Sequence, residues 1–360
     1  MLDRRDLLKL ALLVPACGKD FVEVCGGATT NAFDTVLDRL HTTDMEFSGG
    51  LSNHGPMATE VLLHVGREDR ICDWAGHYVP ILNAAPAAGA PIAAADQVAQ
   101  LGNYDRRADW LATFLAGADL ATVLPQLLPG MMALHGILRT GHALRAIAAA
   151  STPARQAELA HGLAYWAARF ERVPGDPGSQ PEPARDLVTA LDQLAIVPES
   201  KQVDGGLIKD RLVPLASLPS FATDIARVDL DVWPIERSIT ELAAVAARLY
   251  IADAGRGDLG LLHAFDVTSI LRVFLPSLDA ASQRAALGYA FQVVAALHAT
   301  HSPRAGLPPG PYNAATTADA VAEIGADADD EHTIKFTEAL LREHAIDPRP
   351  EFLAAADLRI

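Results

Sequence analysis

The sequence predicts an all-α protein, a large multi-helix bundle built around a hydrophobic core. Half of its 360 residues are hydrophobic but only 6% are aromatic, and alanine and leucine dominate the apolar fraction. Both residues favour helices, whereas the alternating valine and isoleucine residues that are typical of strands are rare. A chain of this length can bury a large core. We therefore expect residues 31–360 to form a single helical domain.

The charge balance and the cysteine content exclude several classes of protein. The formal net charge is -16, whereas a nucleic-acid-binding protein is expected to present a basic face. No apolar run is long enough to predict a membrane span. Cys17, Cys25 and Cys72 form no C-x-x-C pair, so no disulfide framework is predicted. The sequence does not predict an oligomeric state.

The N-terminal segment, residues 1–30, has features of an export signal. Arg4 and Arg5 precede a short apolar run at 10–16 and then Cys17, an arrangement similar to a twin-arginine signal. An amphipathic first helix with an arginine pair explains the same residues. We expect a cytoplasmic protein, with export by a twin-arginine-like signal as the alternative.

Apolar periodicity predicts the helices in chain order. A helix over 33–40 is followed by a glycine-rich turn that delivers His54 to the start of the next helix, where Pro56 suits the first helical position. The segment 84–92 is a loop rich in alanine and proline. The predicted helices after the first span 57–65, 106–115, 154–172, 235–252, 263–274, 282–300, 315–324 and 332–344. The most apolar block of the chain, 120–150, contains His135 and His142.

Two stretches interrupt this helical pattern. Residues 174–183 are so rich in proline and glycine that they predict a surface loop or linker. Residues 201–234 are mixed and could contain short extended pieces. We find no repeat of fixed period that would indicate a solenoid.

The last predicted helix contains an unusual lysine. Acidic residues at 327–331 precede it, which suits the positive end of a helix dipole. His332 and Lys335 are three residues apart and share a face, and the apolar neighbours of Lys335 predict that this face points inward. An ion pair of Lys335 with Glu331, four residues earlier, is the simpler explanation of a lysine here.

Six of the twelve histidines lie among apolar or small residues near predicted helices. A single histidine of this kind is usually a core residue with satisfied hydrogen bonds. The H-E-x-x-H spacing of zinc proteases is absent, and no Cys/His cluster indicates structural zinc. If a metal is bound, its ligands converge from separate helices, as in other helical bundles. The six histidines are His54, His135, His142, His161, His263 and His332.

Motifs for nucleotide and nucleophile chemistry are absent from the sequence. There is no G-x-G-x-x-G, no P-loop and no G-x-S-x-G. Neither a dinucleotide site nor a flavin domain is therefore indicated. An oxidoreductase built on this chain would need a metal rather than a tightly bound flavin.

Five short motifs together resemble the questin oxidase-like family, and their order and spacing are similar to the family's from residue 33 to the C-terminus. Members open the central ring of anthraquinones during aromatic polyketide biosynthesis and were long described as Baeyer–Villiger-type oxidases. The motifs are Ser-Asn-His-Gly-Pro-Met-Ala at 52–58, His-Gly-Ile-Leu-Arg-Thr-Gly-His-Ala-Leu-Arg at 135–145, Leu-Ala-His-Gly-Leu-Ala-Tyr-Trp at 159–166, Leu-His-Ala at 262–264 and Asp-Glu-His-Thr-Ile-Lys-Phe at 330–336.

The resemblance implies a non-haem iron site with four histidines and one carboxylated lysine. Carried over to this sequence, the ligands are His54, His135, His263, His332 and Lys335. A lysine in an apolar pocket has a lowered pKa, which frees its amine to capture carbon dioxide as an anionic carbamate.

One motif departs from the family pattern, and four further residues are candidates for metal or substrate binding. The family pattern is closer to His-Ala-Val-Thr where this chain reads His263-Ala-Phe-Asp266, so the surroundings of this ligand differ. His142 and His161 are reserve ligands or substrate-binding residues. Trp74 and Trp166 are candidates for contact with a flat substrate.

The resemblance and the missing nucleotide motifs together predict an iron(II)-dependent dioxygenase that cleaves a ring of a polycyclic aromatic polyketide such as an anthraquinone. Dioxygen is the expected cosubstrate, with NADPH as a possible reductant. An NADPH-dependent Baeyer–Villiger-type monooxygenase is the first alternative. A non-catalytic helical ligand-binding protein with core histidines is the second.

Overall fold

A computed structural model describes residues 31–180, 185–203, 205–253 and 259–360. Of the residues described, 66% are helical and 3% are in strands or bridges, so the predicted all-α class is confirmed. The predicted N-terminal segment 1–30 and the end of the predicted loop 174–183 lie outside the described residues. Residues 174–180 contain neither helix nor strand, as expected of a loop.

The described residues form seventeen α-helices. In chain order they are α1 Ala32–Leu40, α2 Gly55–His64, α3 Glu68–Tyr78, α4 Gln97–Gln100, α5 Arg107–Leu115, α6 Leu120–Leu127, α7 Leu134–Ala149, α8 Pro153–Ala168, α9 Leu187–Asp192, α10 Ile208–Leu212, α11 Phe221–Ala226, α12 Ile235–Asp253, α13 Leu259–Phe274, α14 Ala280–His301, α15 Ala318–Asp327, α16 Glu331–Ile346 and α17 Pro350–Asp357.

Side-chain caps define where many of these helices begin. Asp330, for example, accepts hydrogen bonds from the backbone N–H groups of His332 and Thr333 at the start of α16. Such caps satisfy the donors that the first turn of a helix leaves free. The same kind of bond starts other helices at Asn31, Asp119, Thr152, Asp186, Asp279 and Thr317.

One expectation about local structure is not met, and one small hairpin was not predicted. The stretch 201–234 contains α10, α11 and a 3₁₀ helix, Val213–Ser217, rather than strands in its described part. The short strands β1 Glu46–Phe47 and β2 Leu51–Ser52 form instead an antiparallel hairpin in the turn before His54. Strands of two residues have too little alternation to be recognised in a sequence.

The predictions about cysteines and apolar runs also need correction. Cys72 is disulfide-bonded, whereas the sequence predicts no disulfide framework. By length and composition, the helical stretch Leu259–Ser277 could cross a membrane, and 72% of its most apolar window is buried inside the protein. Such burial is also found in the core helices of soluble proteins.

Helices α7 and α8 approach each other closely through two glycines. A Cβ atom at Gly136 would lie 2.4 Å from the Trp166 Cα atom, and one at Gly162 would lie 2.8 Å from the Thr140 nitrogen. Both distances are too short for any larger residue. The missing side chains therefore bring α8 against the turn of α7 that contains His135.

The long helices surround one large hydrophobic core, and a smaller apolar cluster lies under α1, α2 and α3. Helix α13 is central, because it packs against α7, α12, α14 and α16. Most of its residues are buried. The helices that contain the predicted metal ligands thus belong to the best-packed part of the protein.

Candidate metal centre

Four helices pack against one another in a closed ring. Helix α2 packs on α7, α7 on α13, α13 on α16, and α16 returns to α2. Each contributes one histidine at the same level: His54 is the N-cap of α2, His135 is in the first turn of α7, His263 is in α13 and His332 is in the first turn of α16. The closed ring therefore points four imidazoles at its centre.

The four imidazoles form a compact cluster. One nitrogen from each lies within 4.8 Å of those from the other three. Around the ring, the centroid distances are 4.8 Å from His54 to His135, 4.5 Å from His135 to His263, 5.2 Å from His263 to His332, and 4.5 Å from His332 back to His54. This spacing suits four ligands around one ion.

A nitrogen of each histidine is buried without a hydrogen-bond partner. These atoms are the Nε2 atoms of His54, His135 and His263 and the Nδ1 atom of His332. The last of them also lies 3.2 Å from the Oε1 atom of Glu331. Buried polar atoms are normally hydrogen-bonded, since an unmade bond costs about 1–3 kcal/mol. Four such atoms facing one another are well explained by a shared metal ion.

Groups outside the cluster hold two of the ligand residues, one through its ring and one through its backbone. The Nδ1 atom of His263 lies 2.6 Å from the Leu259 carbonyl oxygen, to which it can donate only as N–H. This leaves Nε2 with a free lone pair toward the cluster, as metal-ligating histidines require. The His54 backbone N–H donates to the Tyr78 hydroxyl at 2.8 Å, which fixes the start of α2.

Burial keeps the imidazoles neutral. The pKa values of His54, His135 and His263 lie well below the usual range, chiefly because burial disfavours the charged ring, and the nearby positive charges of the cluster act in the same direction. The pKa of His332 is also lowered by burial, although neighbouring Glu331 opposes the change. Neutral imidazole is the form that binds a metal.

Lys335 lies beside this cluster and is 2% exposed, which confirms that its face of the helix points inward. Its Nζ atom has no hydrogen-bond partner. Burial lowers its pKa, while nearby acidic groups, led by Asp266, oppose that change. The lysine therefore reaches the cluster as a buried amine, one helical turn after His332.

The alternative of an ion pair between Lys335 and Glu331 is wrong. No carboxylate oxygen of the described residues lies within 4.0 Å of Nζ. Glu331 instead faces two histidines, with its Oε1 atom 3.2 Å from the Nδ1 atom of His332 and 3.8 Å from that of His54. It thus borders the histidine cluster rather than neutralising the lysine.

The expected reserve ligand His142 belongs to a buried charge network. Its Nδ1 atom lies 2.7 Å from Glu60 Oε2. Arg145 donates to both oxygens of Glu60, at 2.8 and 2.6 Å, and to Glu338 at 2.7 Å. Because these residues come from α2, α7 and α16, the network joins three of the four ligand helices next to the cluster. The sequence analysis does not predict this network; the only signal is that His135 and His142, seven residues apart, share a face of α7.

His161 is separate from the four-histidine cluster. Its ring stacks on His41 with centroids 4.4 Å apart. The Nε2 atom of His41 in turn lies 2.9 Å from the Oε2 atom of Glu158. His161 also lines a largely apolar cavity of about 110 Å³. It can contact a small ligand there, but it is not brought together with the predicted ligands.

Trp74 and Trp166 are packing residues. The Trp74 indole N–H donates to the Asp329 carbonyl at 3.0 Å and its ring stacks on Tyr78. The Trp166 indole N–H donates to the Gly130 carbonyl at 3.1 Å. The Trp166 ring makes a T-shaped contact with Phe274. Neither lines the cavity at His161. Their predicted contact with a flat substrate stays a prediction.

Asp266 is a residue of the site that sequence analysis noticed only as a departure from a motif. It is 4% exposed, and neither carboxyl oxygen has a hydrogen-bond partner. Burial raises its pKa to about 7, against the effect of the Lys335 charge. An acidic residue three positions after a candidate ligand was the available signal.

No family model matches the chain, and no curated protein sequence matches it either. The resemblance to the questin oxidase-like family therefore stays a prediction. The histidine cluster is a feature of the structure and does not depend on this resemblance.

Proposed function

We propose that the protein is a non-haem iron(II)-dependent dioxygenase that cleaves a ring of a polycyclic aromatic polyketide such as an anthraquinone. One observation carries the proposal: four unpartnered imidazole nitrogens from four helices meet in the core beside a buried, unpartnered lysine. This arrangement costs stability in the absence of a ligand, so it favours a binding function over a purely structural one.

The donor set suits iron(II). Neutral imidazoles bind this ion well, and a carbamate on Lys335 would add one anionic oxygen ligand. The four imidazoles and this carbamate would together supply five protein ligands. When bound, iron(II) supplies the redox chemistry that activates dioxygen for ring cleavage.

The residues of the chain have distinct roles in this proposal. His54, His135, His263 and His332 hold the ion, and the bonds from Leu259 and Tyr78 limit their movement. The apolar core excludes bulk water from the reaction. Burial favours the free amine of Lys335, which is the form that reacts with carbon dioxide.

The choice of substrate rests on the resemblance of the motifs around these ligands to those of the questin oxidase-like family. A largely apolar interior with few charged groups outside the ion-pair networks is compatible with a flat aromatic molecule. NADPH would serve only to reduce the substrate or the iron.

Metal analysis tests the proposal most directly. Protein supplied with iron(II) under anaerobic conditions should contain about one iron per chain, measured by elemental analysis after removal of free metal. A matched variant in which His135 is replaced by alanine should lose most of this iron. Protein without stoichiometric iron, and without activity on an anthraquinone hydroquinone when iron(II) is added, would contradict the proposal.

Isotope labelling distinguishes a dioxygenase from the alternatives. With ¹⁸O₂ and a pre-reduced substrate, both oxygen atoms should enter the product, as mass spectrometry can show. Incorporation of a single atom with stoichiometric consumption of NADPH would support the monooxygenase. Metal binding without any product would support the non-catalytic binding protein.

A further inference from the structure

Asp266 faces the helix that contains Lys335. Helix α13 lies along α16, and their contacts set the register: Ser269 Oγ donates to Glu343 at 2.8 Å, and Arg342 donates to Ser269 at 2.9 Å. Asp266 is one turn before Ser269, and Lys335 is two turns before Arg342 and Glu343. Both residues therefore lie on the facing sides of the two helices, toward the histidine cluster.

Asp266 and Lys335 are a buried pair of opposite charges that do not touch. Asp266 is the acidic group that acts most strongly on Lys335, ahead of Glu331 and Asp330. Even so, the Nζ atom and the carboxyl oxygens lie more than 4.0 Å apart, and none of them has a hydrogen-bond partner. Buried polar groups of this kind are normally satisfied. A polar group that extends Lys335 would satisfy both.

A carbamate on Lys335 supplies such a group. The lone pair of the neutral Nζ atom attacks the carbon of carbon dioxide, a C–N bond forms, and one C=O π pair moves to oxygen. One N–H proton leaves to solvent, and no electrons are exchanged with an oxidant. The product adds an N–C–O unit of roughly 2.5 Å in bond lengths to the side chain, together with a donor and two acceptors.

We propose that Asp266 is a positioning residue for Lys335, and that its carboxyl group hydrogen-bonds the carbamate and turns it toward the four imidazoles. The proposal rests on the proposed function and deepens it. It explains why an acidic residue is tolerated at a buried position three residues after the ligand His263.

Arg342 is the main competing partner of Asp266. Two of its guanidinium nitrogens have no hydrogen-bond partner, and its charge also acts on Asp266. However, its third nitrogen is bonded to Ser269, and Nη1 lies 3.8 Å from Glu338. The effect of Arg342 must therefore be measured separately.

The experiment follows the carbamate itself. Full-length protein is loaded with zinc, a diamagnetic substitute for iron(II), in ¹³C-bicarbonate, and the carbamate carbon is observed by ¹³C NMR. We compare the wild type with Asp266→Leu, Asp266→Asn and Arg342→Leu. Zinc affinity and the thermal midpoint are measured on the same samples, so that loss of the fold is recognised.

The wild type should show one carbamate resonance per chain. Asp266→Leu should lower carbamate occupancy and zinc affinity at least tenfold, because leucine cannot form the hydrogen bond. Asp266→Asn keeps the shape and can hydrogen-bond, so it should retain both within about threefold of the wild type. Arg342→Leu should also retain the carbamate.

Several results would overturn the inference. These are full carbamate occupancy in Asp266→Leu, a loss in Asp266→Asn as large as that in Asp266→Leu, or an equal loss in Arg342→Leu. A wild-type protein that binds metal with no carbamate would also overturn it, while leaving the metal site intact. A wild-type protein that binds no metal would instead contradict the proposed function.

Discussion

Lys335 is the residue that best distinguishes a metal-binding role from a purely structural one. It is buried beside the histidine cluster without an ion pair. Lys335→Arg keeps a positive charge but cannot form the carbamate ligand, and Lys335→Ala removes the side chain from a helix that alanine tolerates. We expect both variants to bind iron(II) at least about tenfold more weakly, measured by competition with a chelator.

Two control variants accompany this prediction. Lys201→Arg, at an exposed position, should leave iron binding unchanged. Glu331→Gln changes the carboxylate that lies 3.2 Å from the Nδ1 atom of His332 and does not contact the lysine, so it separates the effect of this carboxylate on iron binding from the effect of Lys335. Wild-type iron content and activity in Lys335→Arg would rule out the carboxylated lysine.

The cluster histidines should differ from other buried histidines. His263 and His298 are both buried in long helices, but only His263 belongs to the cluster. His298 has its Nδ1 atom 2.6 Å from the Ser302 hydroxyl. We expect His263→Ala to lose stoichiometric iron and His298→Ala to retain it, with both variants destabilised by roughly 1–3 kcal/mol. Equal iron contents in the two variants would contradict the assignment of the cluster.

At the scale of helices, the network of Glu60, Arg145 and Glu338 holds the ligand helices together. Arg145→Met would leave buried Glu60 without its arginine and Glu338 with only the more distant Arg342, which should cost about 3–5 kcal/mol in the free energy of unfolding. Urea denaturation of the metal-free protein measures this loss. Metal affinity should fall as well, since α2, α7 and α16 would no longer be joined beside the site.

An exposed ion pair provides the control for the buried network of Glu60, Arg145 and Glu338. Arg284 forms an ion pair with Asp231, and both side chains are well exposed. Arg284→Met should therefore cost no more than about 1 kcal/mol. If both arginine variants lost the same stability, the buried network would not have the proposed role.

At the scale of the whole molecule, burial of the histidines predicts a loss of stability in mild acid. The unfolded chain takes up protons below about pH 6.5, whereas His54, His135 and His263 stay neutral in the folded protein because their pKa values are lowered, first by burial. For each of these histidines, the free energy of unfolding falls by up to about 1.4 kcal/mol for each pH unit of acidification. The loss begins near pH 6.5 and ends at the folded-state pKa values.

Asp266 acts in the opposite direction. Its pKa is raised to about 7, so it contributes stability at low pH that is lost as the pH rises toward 7. Asp266 opposes these three histidines and also His332, whose pKa is lowered as well, and the net effect should be a lower thermal midpoint at pH 5 than at pH 7 in metal-free protein. Calorimetry at several pH values measures it. His77→Ala, at an exposed position, should not alter the trend, and an unchanged or higher midpoint at pH 5 would contradict the prediction.

The sequence by itself determined the fold class and most of the helices. Composition, apolar periodicity and capping residues act within a few residues of one another, so they can be read along the chain. They placed His332 and Lys335 one turn apart on an inward face. They also placed His54 at the start of a helix.

Only the tertiary structure decided which of these side chains meet. His54, His135 and His263 are far apart in the chain, and a single buried histidine looks the same in sequence whether it binds a metal or packs in a core. Their convergence depends on how four helices dock around a ring. The same docking directs His142 to Glu60 and sets Asp266 opposite Lys335. Helical periodicity relates residues within one helix, whereas contacts between helices depend on packing that no local pattern specifies.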